Sequence, residues 1–405
     1  MSKRIQKIFD YLIIFFVLGL MICTTFSKAG VESLAGAVIF FWLIKRLFIL
    51  KFKVWQLRKF FPSTLLNLPL VVYVLIIVLS TINSVDYRVS IVAFFGKTTE
   101  YLLLYFAITD TVNTKRRVYV FIGGLIVSTV GLIIDSGFQY VTGIDLFRHF
   151  MMNDDLRLKA SFGNANDLAG WLILIIPVLA SFVFFLKKQK MAITLILWLT
   201  TFFAVICLIL TFSKAALIGF ILSCIIFMGI IRKNLRNYVI FLLIVVIIGY
   251  LSFLKRGYSL DLSKINTSIS VLVRIDLWKR AMAMIADYPI LGSGPSTYTE
   301  VIGRYGSGWQ PNTAYPHNSF LHIAAETGIT GLLTFLWIIF VLAKEVIKNL
   351  RKNRDNPELI GFSLGIFAFL FQSFFDTNLS ALQLVIPFWI FLALTVNLAS
   401  LKQLN

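Results

Sequence analysis

Long apolar blocks constrain this chain more than any other feature. They recur from about residue 9 to residue 400, and most run for about 18 or more predominantly apolar residues, the length at which a helix crosses the hydrocarbon core of a bilayer. The composition agrees. Hydrophobic residues make up 59% of the 405 positions and charged residues 14%, against roughly 25% charged in an average soluble domain. The blocks fall at 9–27, 31–44, 65–83, 91–109, 117–135, 166–186, 191–211, 215–231, 238–254, 319–343, 359–375 and 382–400. They predict an all-α polytopic membrane protein of about twelve transmembrane helices, a single integral membrane domain over residues 1–405. The first block is long and lacks a small-residue cleavage site, so it is expected to be the first span.

Basic residues orient the chain. With the N-terminus inside, the inner segments collect clusters such as Lys45, Arg46, Lys51, Lys53, Arg58 and Lys59, or Lys115, Arg116 and Arg117. The short outer loops hold one or two cations, for example Lys28 and Arg88. This alternation predicts a plasma (inner) membrane protein with both termini cytoplasmic. It also accounts for the net charge of +19 without a nucleic-acid partner; the expected surroundings are membrane lipids. Cys23, Cys207 and Cys224 lie within apolar blocks and read as buried small side chains, neither a disulfide framework nor a metal site. No His, Cys, Asp or Glu spacing suggests metal ligation, and no nucleotide-binding or triad motif calls for a cofactor.

Two outer segments are long, 136–165 and 255–318. The second, the large extracytoplasmic loop before helix 10, is too long for a connector and contains a helical stretch from Val271 to Asp287. There Leu277, Trp278, Ala281, Met282 and Ile285 recur at helical spacing and predict an apolar face that includes Arg274, with Asp276, Lys279 and Arg280 pointing elsewhere. An arginine on such a face needs an anionic partner, and its planar fork suits phosphate; the plainer reading is an arginine that snorkels to lipid head groups. Next comes AYPHNSFLHIAAETGITG, from Ala314 to Gly331. His317, beside Asn318 at the start of the tenth span, is placed to act as a general base or to bind phosphate. His322 and Glu326 are four apart on one helical face and are expected to pair. Ala324, Gly328 and Gly331 are small enough to let another helix approach. Lys214, in the short turn between spans seven and eight, reads as a snorkelling anchor or as part of an anion site. In SFGNANDLAG, from Ser161 to Gly170, Asn164, Asn166 and Asp167 read as helix-capping groups or substrate contacts. Asp376 lies between spans eleven and twelve with no assigned role.

Four of these stretches resemble the O-antigen ligase and polymerase superfamily. They are, in chain order, Gly163, Asn164, Asn166 and Ala169; Thr211, Ser213, Lys214 and Ala216; Arg274, Trp278 and Ala281; and His317, Asn318, Leu321, Glu326 and Gly328. The similarity runs over residues 160–400. It implies a metal-independent, inverting membrane glycosyltransferase of the GT-C type. Such an enzyme takes glycan from a polyprenyl-diphosphate carrier and passes it to lipid A–core or to another glycan acceptor. It also implies His317, Arg274 and Lys214 as catalytic residues, with Asn318, Asn166, Arg280 and Glu326 binding substrate. The family usually carries arginine where this chain has Lys214, which keeps the charge but loses the paired hydrogen bonds. Within the family the ligase is favoured over a polysaccharide polymerase. The rival from another class is a secondary transporter, against which the inner-span positions are mostly apolar; Lys97 and Glu100 in span four are the main exceptions and are expected to pair.

Overall fold

The computed structural model describes residues 3–50, 57–152, 156–185, 191–231, 269–306 and 315–400. Their regular structure is all helical, with no β-strand among the described residues. Among the described residues, eight helices longer than a single turn precede the large loop. They are α1 (Lys3–Cys23), α2 (Lys28–Ile49), α3 (Asn67–Ile82), α4 (Tyr87–Thr111), α5 (Lys115–Thr142), α6 (Ala165–Phe185), α7 (Met191–Leu210) and α8 (Lys214–Ile231). The loop contributes α9 (Ile269–Asp287), and α10 (Ser319–Lys352), α11 (Pro357–Gln372) and α12 (Leu382–Ser400) complete the chain. Seven of these helices are long and apolar enough to cross a membrane: α1, α4, α5, α6, α7, α10 and α12; α3, α8 and α11 are shorter apolar helices. The ninth block, 238–254, and the loop residues 255–268 and 307–314 lie outside the described residues.

The centre of the bundle is α6, α11 and α12. Nearly every side chain of α12 is buried, and α11 packs most extensively on α6. Gly365 makes that approach possible. A Cβ at this position would stand 2.2 Å from the Leu174 carbonyl oxygen, so only a bare backbone lets the helices come this close. Trp171 of α6 donates to Thr24 Oγ1 at 3.0 Å, and Gln383 of α12 donates to the Thr24 carbonyl at 2.9 Å. Both bonds fix the α1–α2 turn against this centre.

Two helices depart from the uniform spans expected. In α4, residues Phe94–Thr98 form a π turn, which shifts the register of everything after it. Lys97 therefore does not meet Glu100; its Nζ donates to Ser296 Oγ at 2.9 Å. In α10 the backbone breaks at Gly328, with φ 74° and ψ 175°, a conformation essentially reserved for glycine. The neighbour at Gly328 is not another helix but an irregular, turn-rich strap, Pro289–Ser296. A Cβ on Gly328 would lie 2.0 Å from the Ile290 carbonyl oxygen. The strap supplies the hydrogen bonds that the break removes. Ser293 N donates to Ala325 O at 3.0 Å and Gly294 N to Glu326 O at 2.9 Å, and Ile329 N donates back to Pro289 O at 2.8 Å. Ser80 Oγ of α3 adds a second donor to Glu326 O at 3.0 Å. Broken backbone inside an apolar bundle persists only where protein groups take over its polar atoms. The strap and α3 do so here.

The loop helix α9 is rotated from its expected orientation. Its buried positions are Leu277, Arg280, Ala281 and Met284, spaced three, one and three apart, whereas Met282 is exposed. Arg280, expected to point away, is the buried arginine, its Nη2 2.7 Å from Asp276 one turn back. Burying this guanidinium is tolerable because a carboxylate accompanies it. Ala281 and Met284 pack with Tyr298, Val301, Ile302 and Ala325 into a small second core that ties the loop to α10.

Candidate functional site

The start of α10 is locked to the α11–α12 connection, and this lock sets the site. Asn318 is the helix cap: its side-chain oxygen accepts from Phe320 N at 2.9 Å and Leu321 N at 3.1 Å, satisfying two of the donors that every helix start leaves free. Ser319 N donates to Ser373 O and Asp376 O, and Ser319 Oγ also donates to Asp376 O. The chain enters this corner with His317 at φ 45°, a left-handed conformation uncommon outside glycine. The ring is thereby turned toward Asp376, with Nδ1 3.1 Å from Asp376 Oδ1. The His317 side chain remains 42% exposed and that of Asp376 only 13%, so the pair forms a histidine open to the outside backed by a sheltered carboxylate.

Burial acts to raise the Asp376 carboxyl. Its bond to His317, the charge of that ring, the Thr377 N–H and the Arg274 guanidinium outweigh burial and hold it below the usual carboxylate range. Arg274 is thus within electrostatic reach of the pair. Asp167, in the first turn of α6, is also within reach of Asp376, His317 and Lys28. Two acids and three cationic or protonatable groups converge here from α2, α6, α9, the start of α10 and the α11–α12 connection. The same α6 turn is capped by Asn164, which accepts from Asp167 N at 2.9 Å.

The other residues singled out in the sequence occupy neighbouring positions. Asn166 accepts from Arg157 Nη2 at 2.6 Å, and its carbonyl accepts from Gln372 Nε2 at 3.0 Å. Arg157 also donates through Nε to Thr211 O at 2.8 Å. One guanidinium therefore joins the Asn166 box to the turn that bears Lys214. Lys214 itself starts α8, is exposed, and makes no ion pair among the described residues. Glu326 and His322 pair as their spacing predicts, Nε2 to Oε1 at 3.2 Å, and His322 Nδ1 lies 2.8 Å from Ser380 Oγ. Glu326 also accepts from Tyr298 N at 3.2 Å. His317 and His322 thus serve separate centres.

The second centre opens into a cavity of about 210 Å³ lined by Tyr73, Lys97, Tyr101, Tyr315, His322 and Glu326 among others. Tyr298 and Tyr315 stack on each other, and each meets the His322 ring edge-on. Sequence reasoning did not find this aromatic polar cavity. Nor did it find the roles of Asp376, Asp167 and Arg157, because these groups come together from segments far apart in the chain. Tyr73 and Tyr101 within apolar blocks were the available signal for the cavity, since a buried phenol seeks a polar partner.

Part of the chain is similar to known proteins. Residues 199–336 match the family model described as O-Antigen ligase. A protein of Rickettsia felis that carries a provisional polysaccharide-ligase name is 31% identical over 202 residues, covering 46% of this chain and 48% of the relative. A similarly named protein of Rickettsia conorii is 30% identical over 209 residues, covering 48% and 49%. One of Rickettsia bellii is 28% identical over 227 residues, covering 52% and 54%. The chain spans about half the length of the curated relatives it matches. The matched region holds the Lys214 turn, Arg274 and the His317–Gly328 segment, and over that region this membrane protein is similar to the O-antigen ligase family.

Proposed function

We propose that the protein is a GT-C-type glycosyltransferase of about twelve transmembrane helices in the inner (plasma) membrane, with both termini cytoplasmic. It transfers glycan from a polyprenyl-diphosphate carrier to lipid A–core on the extracytoplasmic face. The observation that carries this reading is the exposed His317 ring, backed by Asp376 and within reach of Arg274. Asp376 engages Nδ1, which leaves Nε2 to accept the proton of an acceptor hydroxyl. The acceptor oxygen then attacks the anomeric carbon, the sugar–phosphate bond breaks, and the diphosphate leaves on the carrier with its electron pair. Direct displacement inverts the anomeric configuration. Arg274 and Lys214 neutralise the charge that develops on the leaving diphosphate, which makes the reaction independent of a divalent metal. Asn318, Asn166, Arg280 and Glu326 bind substrate indirectly in this account, since each is engaged in holding the site's backbone or its cavity.

The test is transfer by purified protein in detergent with EDTA, using a polyprenyl-diphosphate-linked glycan. Glycosylated lipid A–core is the expected product. Lengthened carrier-linked glycan without it makes the protein a polysaccharide polymerase instead. If a known family member works in parallel and this protein yields neither product, the glycosyltransferase reading fails and the transporter reading takes its place.

A further inference from the structure

Helix α9 leaves one face uncovered. Leu272, Ile275, Lys279, Met282, Ala283 and Ala286 are exposed. They recur at steps of three and four residues, the spacing of a single helical face. The opposite side is the one that packs, through the buried Leu277, Arg280, Ala281 and Met284. Arg274 points about 120° away from the middle of the exposed face, at 100° per residue, consistent with its reach toward Asp376. The exposed face is therefore free of the site. All of it is apolar except Lys279.

The end of this helix is pinned at the edge of the membrane. Pro289 and Ile290 follow it directly. The Pro289 carbonyl accepts from Ile329 N at 2.8 Å and the Ile290 carbonyl from Thr330 Oγ1. From Ile329 onward the sequence of α10 carries no charge until Lys344. The helical rise from Gly328 to Lys344 is about 24 Å, less than the roughly 30 Å of a hydrocarbon core. Even with Lys344 at the far boundary, Gly328 and the Ile290 set against it lie no farther out than the near one. The other end of the strap agrees. Ser293 O accepts from Val85 N at 2.9 Å, in the connection where α3 and α4 both end. The exposed surface is also continuous with that of a spanning helix. It passes through Pro289 and Ile290, the latter 66% exposed, to the exposed Ile329 and Leu333 of α10. At Gly328 the axis of α10 breaks. The segment before the break, on which α9 packs through Ala281, Met284 and Ala325, is thereby released from the direction of the span.

We propose that α9 is an interfacial helix, its exposed face seated in the lipid leaflet at the His317 end of the bundle. Leu272, Ile275 and Met282 rest on the acyl chains. The Lys279 stem lies along them and its ammonium meets lipid phosphate, the behaviour of lysine at a bilayer edge. The snorkelling role open to Arg274 in the sequence thus falls to Lys279, and Arg274 is left for the site. The use of that arrangement for a lipid-linked substrate rests on the proposed function; the membrane seat does not.

The test is a nitroxide attached at Met282 or at Ala286 through an introduced ketone side chain, which leaves Cys23, Cys207 and Cys224 in place. The same label at Glu300, an exposed acid of the same loop, is the aqueous reference. The protein is placed in phosphatidylethanolamine–phosphatidylglycerol vesicles with a water-soluble nickel chelate on both sides. Collisions with oxygen, which concentrates in lipid, are compared with collisions with the chelate. The oxygen-to-nickel ratio is expected to be higher at Met282 and Ala286 than at Glu300 by about tenfold. Ile275→Glu, at an already exposed position, is expected to lower the ratio at Met282. Nickel access at Met282 equal to that at Glu300 places the face in water and overturns the proposal. So does low access to both reagents, since protein then covers the face. Glycan transfer is not needed for the readout, so the outcomes separate. A protein with a lipid-seated α9 that transfers nothing defeats the glycosyltransferase reading and leaves this one. Transfer by a protein whose Met282 label lies in water does the reverse.

Discussion

Asp376 is a carboxylate on which burial and its neighbours act in opposite directions. The neighbours prevail, so its folded pKa lies below the ordinary value of about 3.9 for an unfolded chain. A depressed pKa contributes stability that is present above the unfolded value and lost as pH falls through the folded one. The melting temperature of the detergent-solubilised protein is therefore expected to exceed that of Asp376→Asn by a constant margin from about pH 7 to pH 5, and the margin is expected to close below about pH 4. A margin that persists unchanged at low pH contradicts this assignment. At Arg274 the guanidinium fork is the point at issue. Arg274→Lys keeps the charge and is expected to lower kcat by about tenfold, and Arg274→Ala by about a hundredfold or more, in the transfer assay. Of the residues in this cluster, His317 and Arg274 were legible in the sequence because their type and position at a membrane boundary already implied chemistry. Asp376 was not, since one acid in a short connection carries no signal until the fold sets it against a ring 59 positions away.

The α10 break shows what an element-level reading can and cannot foresee. Hydropathy marked the helix but not its interruption, because the sequence there differs from a continuous span by one glycine. The cause lies outside the element. The Pro289–Ser296 strap occupies the space a straight helix would need and takes over the freed carbonyls. Gly328→Ala has to adopt a backbone conformation that alanine avoids while its Cβ meets the Ile290 carbonyl. It is expected to destabilise the protein by about 2–4 kcal/mol, measurable as a shifted denaturation midpoint. Wild-type stability in this variant contradicts the glycine requirement. The orientation of α9 was misjudged for a related reason. A window of apolar residues around Trp278 did not distinguish Met282 from Met284, and the packing partner, Tyr298 and Val301 of the same loop, settled the choice.

Across the whole molecule the two ends of the bundle differ in how they hold charge. At the end far from His317, Lys45 of α2 bridges Asp10 of α1 at 2.6 Å and Asp110 of α4 at 2.7 Å. Arg117 of α5 pairs with Asp10 at 2.6 Å, and Arg46 with Asp110 at 3.3 Å. These pairs fasten four helices with little left open: the Lys45 side chain is 6% exposed. Lys45→Met leaves two facing carboxylates without their shared cation and is expected to cost about 3–5 kcal/mol in denaturation experiments. At the His317 end the histidine and Lys214 stay open, as the proposed diphosphate chemistry requires. Hydropathy anticipated helices at eleven of the twelve apolar blocks, seven of them long and apolar enough to cross a membrane; the remaining block, 238–254, lies outside the described residues. The central claim is that His317 receives the acceptor's proton. It is tested most directly by the initial rate of glycan transfer by His317→Ala at saturating carrier-linked donor, alongside the melting temperature of the same preparation. The account predicts a rate lower by about 10²–10⁴-fold with the protein still folded; a folded His317→Ala enzyme that transfers glycan at the wild-type rate would contradict it.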